Sequence, residues 1–146
     1  MAKPSPHSVA RKSAPTQRLA PAVPPSVPSK QLDVFPNPSP KRDYAIQFQI
    51  PEFTCHCPLT GQPDFAHFTI DMVADELCVE LKSLKMYLGG YRNEGIYYEA
   101  VTNRILDDLV KATKPRSMML EGRFGVRGGI SSVVTASFDK AKKGRG

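Results

Sequence analysis

The stretch FTCHCPLTGQPDFAHF, residues 53–68, concentrates side chains that could do chemistry. Cys55 and Cys57 flank His56, and Asp64 follows seven residues after Cys57. Three readings compete. A metal site could draw on Cys55, Cys57 and His67. However, structural zinc sites use four ligands at C-x2-C-type spacings, and adjacent residues of an extended chain point in opposite directions. A redox pair would want two residues between its cysteines, at a helix start. The third reading makes Cys57 a nucleophile. It sits in a loop punctuated by Pro58, Gly61 and Pro63, which can bring a thiolate and the Asp64 carboxyl to one pocket, one to attack and the other to deliver protons. The competing reading of Asp64 is a turn cap. Cys78 is expected to be buried and inert. A Cys55–Cys57 disulfide would be strained, so both are expected free.

The elements around this loop follow from periodicity. DYAIQFQI, residues 43–50, alternates with Tyr44, Ile46, Phe48 and Ile50 on one face and reads as a strand ended by Pro51. A second strand over 66–73 puts Phe68, Ile70 and Met72 on one side. From Val79 the period becomes helical: Leu81, Leu84, Tyr87 and Leu88 form a stripe closed by Gly89-Gly90. A longer helix over 95–112 repeats Tyr97, Val101, Ile105 and Leu109, with Asp107 and Asp108 facing water and Pro115 beyond its end. SMMLEGRFGV and ISSVVTASF read as strands joined at Arg127-Gly128-Gly129. The order β-β-α-α-β-β predicts an α+β fold, a four-stranded antiparallel sheet with two helices on one face.

Composition sets the boundaries. Ten of the 14 prolines lie in the first 40 residues, which have no apolar period, so residues 1–40 are expected to be a disordered basic extension. The domain is expected at 41–138, and 139–146 as a disordered basic tail. The net charge of +6 is carried by these ends, which argues against a nucleic-acid-binding core and leaves tail contacts with RNA as a lesser reading. No stretch approaches the roughly 20 apolar residues of a membrane span, and the start lacks a signal-peptide core. Three cysteines, an odd number, argue for a reducing compartment, and a cytoplasmic location is expected. An ordered part of about 100 residues buries modest area, so self-association is expected to help it.

FTCHCPLTGQPDFA resembles the F-T-x-x-C-P-x-T-G-Q-P-D-F-A signature of the 7-cyano-7-deazaguanine reductases, the nitrile reductases of queuosine biosynthesis. ELKSLKMYL (80–88), YRNEGIYYEAVTNRILDDL (91–109) and GRFGVRGGIS (122–131) fit further motifs of that family in the same order. The resemblance spans residues 43–135 and points to the short unimodular form, with a tunnelling fold that oligomerises into a barrel. It implies that Cys57 adds to a nitrile carbon to give a thioimide, and that Asp64 donates protons. NADPH, two per turnover, is the implied co-substrate, with no metal. Val79, Glu80, Leu81, Tyr97, Tyr98 and Glu99 are implied substrate contacts, Glu99 as a carboxylate for an aminopyrimidinone edge. Tyr98 departs from the family's frequent His, and Leu81 from a frequent Ser. Lys82, Ser83, Lys85, Arg127 and Gly128 are the implied cofactor contacts; no Gly-x-Gly-x-x-Gly strand-turn-helix is present. The implied assembly is a ring-like homo-oligomer, two pentamers face to face, with pockets between subunits and no obligatory nucleic acid.

Three alternatives stand beside this reading. One is an amidine-forming relative that uses the same nitrile, cysteine and aspartate without NADPH. Another is a zinc-dependent pterin hydrolase of the same fold. The last is a non-enzymatic module whose basic ends bind RNA.

Overall fold

The computed structural model describes residues 29–142. In chain order its elements are β1 (Val34–Pro36), β2 (Ala45–His56), β3 (Pro63–Val73), β4 (Leu77–Val79), α1 (Leu81–Gly89), α2 (Tyr98–Thr113), β5 (Ser117–Arg127) and β6 (Ile130–Asp139). The four long strands form one antiparallel sheet in the order β2-β3-β5-β6, and the two helices cover one face of it. The strand phase read from the sequence holds: Phe68, Ile70 and Met72 are buried in the same core as Val101, Ile105 and Leu109 of α2. Phe68 packs edge-on against Phe53, with centroids 4.7 Å apart. Gly122 leaves room for that ring, because a Cβ there would lie 2.5 Å from a Phe68 ring carbon. Gly128 and Gly129, with φ of 56° and 79°, make the two-residue turn between β5 and β6.

Several boundaries differ from the sequence expectation. Pro51 does not end β2; the strand continues to His56 through a register shift between Ile50 and Phe53. β2 is an edge strand, and a proline is tolerated at an edge or a bulge, where its missing N–H breaks no ladder bond. β3 starts at Pro63, so the loop between the strands shrinks to residues 57–62. α1 starts at Leu81 because 77–79 are drawn into a two-stranded ribbon with β1, and Glu80 caps the helix. α1 ends without a left-handed glycine, since Gly90 has φ −65°; the left-handed cap belongs to Lys114 after α2, at φ 48°. Asp108 is half-buried and accepts a 2.5 Å hydrogen bond from the Tyr87 hydroxyl.

The expected disorder of residues 1–40 does not hold from residue 29 onward. Val34, Phe35 and Pro36 pair with Val79, Cys78 and Leu77, and Asn37 is buried with its amide donating to the Asp75 carbonyl. Side-chain and backbone hydrogen bonds to the folded body replace the apolar period this segment lacks. The expected tail likewise begins too early: Asp139 closes β6, and Lys140 is ion-paired to Asp75 at 2.6 Å. Residues 1–28 and 143–146 lie outside the described residues.

Candidate active site

Phe53, Cys55 and Cys57 share the helix-facing phase of β2, but the strand stops before Cys57 and a tight turn begins. Pro58, with its φ set by the ring, starts the turn, and Gly61, at φ 69°, ends it. The Gly61 N–H reaches the Cys57 carbonyl at 2.9 Å, and the Cys57 N–H reaches the Gln62 carbonyl at 2.8 Å. The sulfur thereby occupies the place of a capping side chain. The Thr60 hydroxyl, the N–H groups of Thr60 and Leu59 and the Arg127 guanidinium donate to it, and together they lower the thiol from 9.0 to about 7 against some desolvation. Cys55, two residues earlier, is fully buried, and burial with the nearby Asp64 charge pushes its thiol up to about 11. Two cysteines two residues apart, one in β2 and one in the turn that follows it, are thus separated into an inert and a reactive one. Cys78 is also buried, its sulfur 3.8 Å from the Tyr44 hydroxyl, and all three are free thiols.

The turn is braced by the segment before α2. His56 donates its N–H to the Glu94 carbonyl at 2.9 Å and accepts from the Ile96 N–H at 3.0 Å, a parallel bridge to Gly95. Gly95 sits so close to the turn that a Cβ would lie 3.3 Å from Pro58 Cα. This bridge takes up residues 94–96 and Tyr97 is the N-cap, which is why α2 starts at Tyr98 rather than Gly95.

Asp64 lies opposite Cys55 in the β2–β3 register and is only 4% exposed. Arg127 Nε meets its Oδ1 at 2.6 Å, and the Tyr98 hydroxyl donates to the same oxygen at 2.8 Å. Since no buried side-chain polar atom among the described residues lacks a partner, Oδ2, which neither group contacts, is the oxygen that keeps an opening. Tyr98 is held by stacking on Phe124, with centroids 3.9 Å and planes 12° apart, and burial together with Asp64 raises its phenol to about 12. Arg127 is therefore ion-paired with the acid candidate and near enough to the nucleophile candidate to help lower its thiol.

The other expected site residues divide. Tyr97 (52% exposed) and Glu99 stand exposed at the start of α2 beside Tyr98. Val79 is buried, and the Glu80 carboxylate caps α1 through the N–H groups of Lys82 and Ser83, both at 2.7 Å. The Ser83 hydroxyl is taken up by the Glu80 carbonyl and the Asp33 N–H, both at 2.9 Å, so it faces the fold rather than a ligand. Leu81 and Lys85 line a groove of about 420 Å³ between α1 and the open edge of β2, with Leu84 and Leu88 as its apolar wall and Arg92 at its rim. That groove includes none of Cys57, Asp64 or residues 97–99. Lys85 and Arg92 of this groove are a donor pair that fits a phosphate-bearing ligand, whereas Lys82, also exposed on α1, borders a separate cavity with Asp33 and Ser83. Arg127 and Gly128 lie at the other group, so within one chain the implied cofactor contacts are split.

Among the described residues no three His, Cys, Asp or Glu side chains converge as a metal-ligand set. His67 is exposed, its Nε2 lies 2.6 Å from Gln49 Oε1, and its phase on β3 is opposite to that of Asp64.

Sequence reasoning missed Thr60, Glu94 and Gly95, and it assigned Arg127 to the cofactor alone. A cysteine followed at once by proline, with glycine four residues on, was the available signal for a capped turn.

Three comparisons extend these observations. A family profile described as QueF-like protein matches residues 63–143. The NADPH-dependent 7-cyano-7-deazaguanine reductase of Nitrosomonas europaea is 60% identical over 113 residues, 77% of this chain and 81% of that protein. The protein of the same name from Thermomicrobium roseum is 56% identical over 120 residues, 82% of this chain and 94% of that protein. Among solved structures, the apo form of the archaeosine synthase QueF-Like superposes with a TM-score of 0.60 at 15% identity, covering 64% of this chain and 91% of that one; the likeness is one of fold.

Proposed function

This chain belongs to the QueF-like family, and from that membership we propose that it is an oxidoreductase reducing the nitrile of 7-cyano-7-deazaguanine to the aminomethyl group with NADPH, in queuosine biosynthesis. The observation that carries the residue assignments is Arg127, which joins Cys57 and Asp64 in one cluster at the end of the sheet.

In this reading the Cys57 thiolate adds to the nitrile carbon while Asp64 gives a proton to the nitrogen, forming a thioimide. Covalent attachment helps because a thioimide accepts hydride better than a nitrile does. NADPH would supply one hydride to that carbon and a second to the imine that follows, whose nitrogen takes the second proton from Asp64 after that carboxylate is reprotonated from water. Between the two, the carbon–sulfur bond breaks and Cys57 leaves as thiolate, restored for the next turnover. The four donors around the sulfur serve both ends of this cycle, since they stabilise the anion that attacks and the anion that departs. Asp64 presents Oδ2 to the substrate while Arg127 and Tyr98 hold Oδ1. Glu99 and Tyr97 receive the aminopyrimidinone ring, and Tyr98 reaches it only through Asp64. Lys82 and Lys85 bind cofactor phosphates, with Arg127 and Gly128 approaching from the nucleophile side.

The active site is completed between copies of this chain, in a ring that is a pair of pentamers. Two features support this. The strand order leaves β2 and β6 as open edges, and the α1 groove lies apart from Cys57 in one chain. The enzyme works in the cytoplasm; among the described residues no helix is long and apolar enough to cross a membrane.

The test mixes purified protein with the cyano-deazaguanine base and follows the red-shifted thioimide absorbance, then its loss on adding NADPH. Cys57→Ala should show no such band and no turnover. Turnover in Cys57→Ala would refute the assignment, and a band that resists NADPH would favour the amidine-forming alternative.

A further inference from the structure

Residues 29–33 run as a strap beside α1. Ser29 N–H donates to the Met86 carbonyl at 3.3 Å, Asp33 N–H to Ser83 Oγ at 2.9 Å, and the Asp33 carbonyl accepts from Glu80 N–H at 2.8 Å. These bonds fix the strap's backbone without help from Lys30. The Lys30 side chain is aimed elsewhere. Its Nζ lies 2.9 Å from Glu94 Oε2 and 3.1 Å from the centroid of the buried Tyr91 ring. Arg104 of α2 holds the other oxygen, Glu94 Oε1, at 2.5 Å. Glu94 is thus gripped from two directions, and its backbone carbonyl is the one that receives the His56 N–H directly before Cys57. The next residue, Gly95, presses against Pro58 directly after Cys57.

We propose that Lys30 is a positioning residue for the nitrile reduction: through Glu94 it sets the 94–96 segment against which the Cys57 turn is formed. The inference rests on Cys57 being the nucleophile. An ion pair this exposed, with side chains 48% and 31% accessible, adds little to global stability, so its consequence should be local geometry. Burial tends to raise the Glu94 carboxyl, but the Lys30 and Arg104 bonds outweigh it and hold the group below its ordinary value, so it stays charged and gripped at neutral pH. The donors on the Cys57 sulfur are the Thr60 hydroxyl, the N–H groups of Thr60 and Leu59 and the Arg127 guanidinium, so a distortion of the turn changes their distances to it.

The experiment uses full-length Lys30→Ala, Lys30→Arg and Glu94→Gln. Three quantities are read: the pH profile of Cys57 alkylation by iodoacetamide, the rate of thioimide formation, and kcat and KM for the nitrile substrate. Lys30→Ala and Glu94→Gln should each move the alkylation inflection up from about 7 toward 9.0. Each should slow thioimide formation roughly tenfold, with the loss in kcat and not in KM. Lys30→Arg should restore most of it, and the double variant should be no worse than either single one. If the inflection stays near 7 and thioimide formation is unchanged in both single variants, the positioning role is overturned, whatever happens to Tm. Should Lys30→Ala fail to fold, Glu94→Gln decides alone, since it keeps the backbone carbonyl and removes only the charge. Cys57→Ala separates the two readings: if that variant still turns over, the nucleophile assignment fails first.

Discussion

Replacing Thr60 with valine removes one hydroxyl from beside Cys57 and keeps the shape of the side chain. That hydroxyl is the largest of the influences that bring the thiol from 9.0 to about 7, ahead of the N–H groups of Thr60 and Leu59 and of Arg127. At pH 7 a thiol titrating at 9.0 is about 1% thiolate, whereas one at about 7 is about half. Loss of one donor among four should return the thiol by about one unit, leaving roughly a tenth as thiolate at pH 7. The sign follows from the direction of the shift. A depressed thiol is reactive above its folded value and loses reactivity as pH falls through it, so the variant's deficit should be greatest near pH 7 and vanish near pH 10. Stopped-flow alkylation with iodoacetamide between pH 5 and 10 reads this directly. The expected result is an inflection displaced upward and a rate about fivefold lower at pH 7. An inflection left near 7, or a loss equal at every pH, would refute the claim that the turn's donors activate the sulfur.

Cys55→Ala should keep near-normal turnover, because a buried thiol held at about 11 carries negligible thiolate at pH 7 to 8; a loss of the thioimide band would contradict this. Tyr98→Phe should preserve the stack on Phe124, and hence Tm, while slowing single-turnover reduction, as Asp64 loses one of its two contacts on Oδ1. Gly122→Ala should destabilise by about 1–3 kcal/mol in urea unfolding, since its Cβ would fall 2.5 Å from Phe68 and 3.0 Å from Phe124, both rings of the packed core.

The sequence and the structure agree where a period was long enough to count. Phe68, Ile70 and Met72 carried the phase of β3, and Val101, Ile105 and Leu109 that of α2. The phase of β3, extended back two steps from Ala66, also places Asp64 on the buried face, so the acid's setting was partly legible. Short elements were not. β1 and β4 have three residues each, too few for alternation to register, and they form because they find each other across the fold. Proline misled twice for one physical reason. Pro36 and Pro51 both lack an N–H, which matters in a central ladder and not at a strand end or a bulged edge. The brace behind Cys57 was illegible because it is made by backbone groups of Glu94 and Ile96, whose side-chain types carry no sign of it. Arg127 could be recognised as a cation near the site, but its grip on Asp64 depends on the β5–β6 turn folding back to residue 62, where its guanidinium also reaches the Gln62 carbonyl at 3.4 Å.

A free carboxyl group is symmetric, and its two oxygens exchange by rotation. Asp64 has lost that equivalence, because Arg127 and Tyr98 anchor the same atom. Whatever hydrogen ion it hands over must leave from the remaining oxygen along one approach line. In the proposed cycle the substrate nitrogen would then be addressed from a single side each time, giving a reaction on a small, achiral group a fixed handedness.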